Sequence, residues 1–110
     1  MLKRIMIIVF FQAAIEYLVL SGTSASEIDG QELYTKHCVI CHGEDGTGRT
    51  DLGSGLGARD FKDKVFQEGI TDEQIFEQIT TGSETMFPFK DKLSSEEIHA
   101  LVPVIRAFGK

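Results

Sequence analysis

The sequence is short of the residues that usually brace a small domain: two cysteines and two prolines occur among 110 residues. Cys38 and Cys41 stand so close together that a disulfide between them could not tie distant parts of the chain. No segment alternates in the manner of a strand, and no repeat, low-complexity tract or linker is present. Basic residues are in the minority, and the formal net charge is −6. An acidic domain binds nucleic acid poorly and is repelled by anionic lipid surfaces, so nucleic acid is excluded as a partner. A membrane-spanning helix needs about 20 apolar residues, and Glu16 interrupts the only long apolar stretch at a cost of roughly 2.5–3.5 kcal/mol on insertion scales.

What the N-terminus does have is the order of a secretory signal. Lys3 and Arg4 precede an apolar run from Ile5 to Ile15, and Ser21 to Ser26 are small residues. Residues 1–26 are therefore expected to be a signal peptide, cut after Ala25 or Ser26; the alternative is an uncleaved N-terminal anchor, the one route to membrane contact. Either way residues 27–110 form one domain that lies outside the cytoplasm, in a periplasmic or similar compartment. The segment removed carries Lys3, Arg4 and Glu16, so the charge moves from −6 to −7. The partners this predicts are proteins with basic patches. A domain this small has a marginal core and needs a staple.

Four short helices are expected, separated by glycine-rich or polar loops. The first starts near Asp29, with Glu32 as capping-box partner, and ends near His37. The second covers Phe61 to Gln67 and stops at Gly69. The third opens at Thr71, boxed by Gln74, and stops at Gly82. The fourth opens at Ser94, boxed by Glu97, and contains Pro103, which removes one hydrogen bond and costs about 3 kcal/mol unless the helix bends. The stretch Gly43 to Gly57 is so rich in glycine that a loop is expected throughout, since each ordered glycine costs about 1 kcal/mol relative to alanine. Residues 83–90 are expected to be irregular.

Cys38-Val39-Ile40-Cys41-His42 is the pattern of covalent c-type haem attachment. Two thiols one helical turn apart meet the two vinyl groups on one edge of the porphyrin, and the adjacent histidine lies beneath the ring centre. Three other readings compete. A thioredoxin-like redox pair wants a βαβ setting that is missing. A zinc site needs further ligands, and His37 and His99 are not paired at the usual spacing. A local disulfide would staple almost nothing. An export signal ahead of the motif favours haem c, one group per chain, and the ring supplies the core that the short helices lack. Asp45 and Asp51 miss the spacing of an EF-hand and are read as solvated loop carboxylates.

Met86 is the only methionine outside the N-terminal segment. It stands in the irregular stretch with Pro88 stiffening the backbone beside it, which suits a second axial ligand to the iron; a thioether there raises the redox potential. The rivals are His37, on the proximal side of the motif, His99, a half-buried surface residue on the last helix, and Lys90 and Lys92, which would have to be neutral.

From Gly30 to Phe108 the chain resembles the small single-domain class I cytochromes c of bacteria. The carrying segments are Gly30 to Tyr34, Cys38 to His42, Gly43 to Gly48, Arg59 to Phe61 and Met86 to Ser94. The resemblance implies an all-α cytochrome c fold in which the first and last helices cross. Gly30 would allow their close approach and Tyr34 would pack against the last helix. It maps Cys38 and Cys41 onto the thioether positions and His42 and Met86 onto the iron ligands. Three departures stand out. No proline follows the motif before Pro88, so a carbonyl of the glycine loop must orient the histidine. His99 and Val104 replace aromatic residues of the last helix, with Phe108 to compensate. The resemblance does not account for Pro103. These departures predict a looser haem crevice within the same fold.

The function expected is that of an electron carrier, monomeric and not an enzyme, working between respiratory or dehydrogenase partners. Two alternatives are a haem-based ligand sensor or peroxidase-like protein with a labile distal ligand, with Arg49 and Arg59 near the ring, and an electron-transfer subunit of a larger oxidoreductase complex.

Overall fold

The structure is a computed structural model that describes residues 27–110; the expected signal segment, 1–26, lies outside the described residues. Six helices and no strand occur among them: α1 Gly30–His37, α2 Val39–His42, α3 Asp51–Leu56, α4 Lys64–Gly69, α5 Asp72–Thr81 and α6 Ser95–Ala107. None is long and apolar enough to cross a membrane.

The caps follow from the sequence. Thr71 and Gln74 exchange hydrogen bonds at the start of α5, as do Ser94 and Glu97 at the start of α6. At α1 the expected box is one-sided: the Asp29 carboxylate accepts from the backbone N–H of Gln31 and Glu32. Helix α6 runs through Pro103 to Ala107. Pro103 is exposed, and so is His99, the residue four positions earlier whose carbonyl has no proline N–H to accept from.

Helices α1 and α6 cross in close contact. A Cβ built at Gly30 would collide with the carbonyl oxygen of Ala100, so only glycine permits this approach. Tyr34 of α1 and Ile98, Leu101, Val102 and Ile105 of α6 are buried together with Ile75 and Ile79 of α5. Each such side chain contributes about 1.5–3 kcal/mol on leaving water. Phe108 lies 5.2 Å from the Tyr34 ring and so supplies the aromatic contact that His99 and Val104 do not.

Two expectations are corrected. Asp51–Leu56 is a helix, although it lies within the glycine-rich stretch. Thr50 caps it by accepting from Gly53 N–H at 2.8 Å, and Gly57 closes it in the left-handed region at φ 71°. A Cβ at Gly53 would collide with the Cys41 carbonyl, so the glycine that weakens α3 by propensity is what lets it dock on α2. The helix expected over 61–67 instead spans Lys64–Gly69, because the Asp63 carboxylate caps Val65 N–H and leaves Phe61 in the preceding turn.

Candidate haem site

Helix α2 begins at its N-cap, Cys38, whose carbonyl accepts from the N–H groups of Cys41 and His42 at 3.2 and 2.9 Å. One turn therefore carries both thiols and the imidazole. The Tyr34 hydroxyl donates to the Gly43 carbonyl at 2.6 Å and closes the C-terminal end of that turn against α1. On the other flank the Thr50 hydroxyl lies 3.0 and 2.9 Å from the carbonyl oxygens of Ile40 and Cys41.

The His42 imidazole is fixed on two sides. Its Nδ1 is 3.3 Å from the Arg59 carbonyl oxygen. A carbonyl can only accept, so Nδ1 carries the proton and Nε2 keeps its lone pair. Phe61 stacks on the ring at 4.3 Å between centroids, with 17° between planes. Burial lowers the His42 pKa, and the Arg59 carbonyl opposes that shift in part, so the ring is neutral as a ligand requires. The carbonyl expected within the glycine loop is thus that of Arg59, just beyond it. Burial, and secondarily Cys41, push the Cys38 thiol up to about 11, so it stays S–H at neutral pH.

Met86 is held in the bend that follows α5. Its N–H donates to the Ser83 hydroxyl at 3.2 Å and its carbonyl accepts from Ser83 N–H at 2.9 Å. The Gln78 side-chain amide approaches Sδ at 3.8 Å. Gly82 opens the bend at φ 67°, and a Cβ there would collide with the Met86 carbonyl.

Cys38, Cys41, His42 and Met86 all line one cavity of about 990 Å³. Leu52, Leu56, Val65, Phe66, Ile70, Ile75, Ile79, Phe87 and Phe89 also line it. Its size is at the top of the roughly 300–1,000 Å³ usual for cofactor clefts. An apolar wall, two thiols on one turn, a neutral imidazole with a free Nε2 and a thioether form a donor set that fits a haem.

Of the rival ligands, only His37 lines the cavity. It sits edge-on to Phe89 at 5.9 Å. His99 does not line it and is exposed, not half-buried: its ring stacks on Phe76 at 4.0 Å and Nδ1 is 2.8 Å from the Ser95 carbonyl. Lys90 and Lys92 are also outside the lining, as is Arg49, whereas Arg59 is part of it. Asp45 Oδ1 accepts from Thr47 N–H and hydroxyl at 3.1 and 2.8 Å, a local turn contact.

Residues 25–103 match the family model described as cytochrome c oxidase, cbb3-type, subunit III. The chain belongs to that family. It is a c-type cytochrome domain of the electron-transfer kind, as its residues implied. Among solved structures, it superposes on the KustC0563 c-type cytochrome with a TM-score of 0.73 and 56% identity, covering 76% of this chain and 100% of that one. A point mutant of the same cytochrome gives 0.70 and 55%, over 74% and 99%. Among curated relatives are the cbb3-type cytochrome c oxidase subunits FixP of Bradyrhizobium diazoefficiens, 26% identical over 73% of this chain, and of Azorhizobium caulinodans, 29% identical over 80%. The cytochrome domain spans only 27% and 29% of the length of those two subunits.

Sequence reasoning missed the Arg59 carbonyl, the Thr50 hydroxyl and Gln78. The first is a main-chain atom, which any residue supplies. The other two act only through contacts between elements, although Thr50, a cap residue before Asp51, was a readable signal.

Proposed function

We propose that this cytochrome carries one haem c, bonded through Cys38 and Cys41, with His42 and Met86 as axial ligands, and that it shuttles single electrons without catalysing a reaction of its own. The observation that carries this reading is the shared cavity, which brings all four residues to one apolar space. Bound there, the haem supplies a one-electron couple. The chain does the rest. Nδ1–H of His42 donates to Arg59 and holds the ring with Nε2 available. Ser83 and Gly82 hold the Met86 bend, so the thioether is positioned before it is used. The apolar side chains of the cavity would cover the faces of the haem ring. With both axial positions taken by side chains, no coordination position is left for a substrate, which favours a carrier over a sensor or peroxidase.

Export by residues 1–26 and a location outside the cytoplasm belong to the same proposal, since thioether attachment follows a signal-like segment. We read the chain as a monomeric carrier docking on basic patches of its redox partners. Complete coverage of a small c-type cytochrome at 56% identity supports that reading. Likeness to FixP supports a second one, in which the domain serves an oxidase complex.

The test is the optical spectrum of the reduced, haem-loaded protein before and after carbon monoxide. An unchanged spectrum is expected, because Met86 holds the sixth position. A carbonyl-bound spectrum would move the assignment to the ligand-binding class.

A further inference from the structure

Gln67 lies on α4, outside the haem cavity, yet it joins three elements. Its side-chain amide donates to the Phe61 carbonyl at 2.7 Å and to the Ile105 carbonyl at 3.0 Å. Its Oε1 accepts from Arg106 Nη1 at 3.1 Å. Both amide acceptors are carbonyls and its oxygen faces a guanidinium, so the orientation of the amide is fixed. Gly109 packs on the same side chain; a Cβ there would meet Gln67 Cγ at 2.6 Å.

The segment from Arg59 to Phe61 makes both proximal contacts to His42: the Arg59 carbonyl at Nδ1 and the Phe61 ring on its face. Hydrogen bonds to three other parts of the chain hold that segment and Ala58 just before it. Phe61 N–H donates to the Gly46 carbonyl at 2.7 Å, Ala58 N–H donates to the Gly53 carbonyl at 2.9 Å, and Gln67 takes the Phe61 carbonyl. Only the last hydrogen-bonds the segment to the terminal helix α6, through Ile105 and Arg106, beside the contact of the Phe61 ring with Phe108 at 6.0 Å between centroids.

We propose that Gln67 is a positioning residue for the proximal histidine: by pinning Phe61 to α6 it sets how firmly Arg59 holds the His42 Nδ1 proton, and so how strongly the imidazole donates to iron. This rests on His42 being an axial ligand. A firmer Nδ1–H···O bond makes the ring a better donor and favours oxidised iron. Loosening it raises the redox potential.

The test uses the full haem-loaded protein and three variants. Gln67→Leu keeps bulk and loses both donors. Gln67→Met keeps the length of the side chain, stays uncharged and cannot donate to Phe61. Ile98→Val trims a buried residue of α6 that does not line the cavity, as a control for lost stability. Outer-shell partners of metal-bound histidines commonly alter metal properties by about tenfold or more. Both Gln67 variants are therefore expected to raise the reduced-to-oxidised ratio at a fixed ambient potential by about tenfold, or about 59 mV for one electron. The His42 Nδ1 proton resonance should shift in the same variants. Ile98→Val should lower the melting temperature and leave potential and resonance in place. If Gln67→Leu does not fold, Gln67→Met decides alone. The proposal is overturned if the potential is unchanged or falls, or if Ile98→Val raises it equally. Failure of the haem assignment shows separately, as absence of covalent haem in the unaltered protein.

Discussion

The Nδ1 of His42 hydrogen-bonds the carbonyl oxygen of Arg59, 17 positions along the chain, at 3.3 Å. That contact exists because the chain turns back at Gly46 and Gly48, both with φ of 75°. At Gly48 a Cβ would also meet the Ala58 carbonyl carbon at 3.0 Å and the Arg59 carbonyl oxygen at 3.1 Å. Gly48→Ala adds a left-handed penalty of about 1–2 kcal/mol to that crowding. We expect a loss of at least that size in denaturant unfolding, together with a displaced His42 Nδ1 proton signal.

Met86 is expected to set the potential. Met86→His replaces a thioether, which favours reduced iron, with a stronger nitrogen donor. The midpoint potential should fall in a spectroelectrochemical titration. Met86→Ala should instead leave the sixth position open and admit carbon monoxide. A variant that keeps both the potential and the closed spectrum of the parent would remove Met86 from the ligand set.

These roles differ in how far they were legible from residues alone. The attachment motif, the lone methionine outside the N-terminal segment and the two reciprocal capping boxes are local patterns, and the motif and the methionine are among the residues that line the cavity. Helix α3 was hidden because glycine propensity opposes it. Its stability comes from the Thr50 cap and from the Gly53 contact with Cys41, which exist only once α2 is in place. The Arg59 carbonyl left no trace, since every residue has one. In the sequence Gln67 stood only as the end of the second helix, because its partners Phe61 and Ile105 are brought beside it by the fold.

Tyr34 predicts an alkaline limit to stability. Its hydroxyl is buried against the Gly43 carbonyl, and burial first, with Cys38 and Asp45 adding to it, pushes its pKa well above the ordinary tyrosine value of 10.0. The folded value is raised, so the stability is fully present below the unfolded pKa. Above about pH 10 the unfolded chain loses a proton that the folded one keeps, and stability falls as pH rises. Tyr34→Phe should flatten that alkaline decline. At neutral pH it should cost about 1–3 kcal/mol, because the buried Gly43 carbonyl loses its donor. Unfolding curves at neutral and alkaline pH separate the two effects.

Salt should act on encounter with a partner. The acidic balance of −6 predicts that electron transfer to a basic partner is steered by long-range attraction, which a Debye length of about 10 Å at 0.1 M progressively removes. Stopped-flow rates with a basic redox protein should fall as ionic strength rises. Rates independent of salt would rule out steering by net charge.

Arg106 and Asp72 form an ion pair at 2.7 Å, but the two ends should respond very differently to mutation. Asp72 is 70% exposed, and pairs at that exposure contribute about 0.2–1 kcal/mol. Asp72→Asn should therefore change stability by less than about 1 kcal/mol, and less still in high salt. Arg106 also donates to the Gln67 carbonyl at 2.7 Å and the Ile70 carbonyl at 2.6 Å, at the C-terminal end of α4. Hydrogen bonds to a charged group contribute about 1.5–3 kcal/mol. Arg106→Ala should cost at least about 2 kcal/mol, nearly independent of salt, because it frees carbonyls that no nearby donor replaces. Equal losses in the two variants would mean that the ion pair to Asp72 of α5, and not the carbonyl contacts at the end of α4, carries what Arg106 contributes.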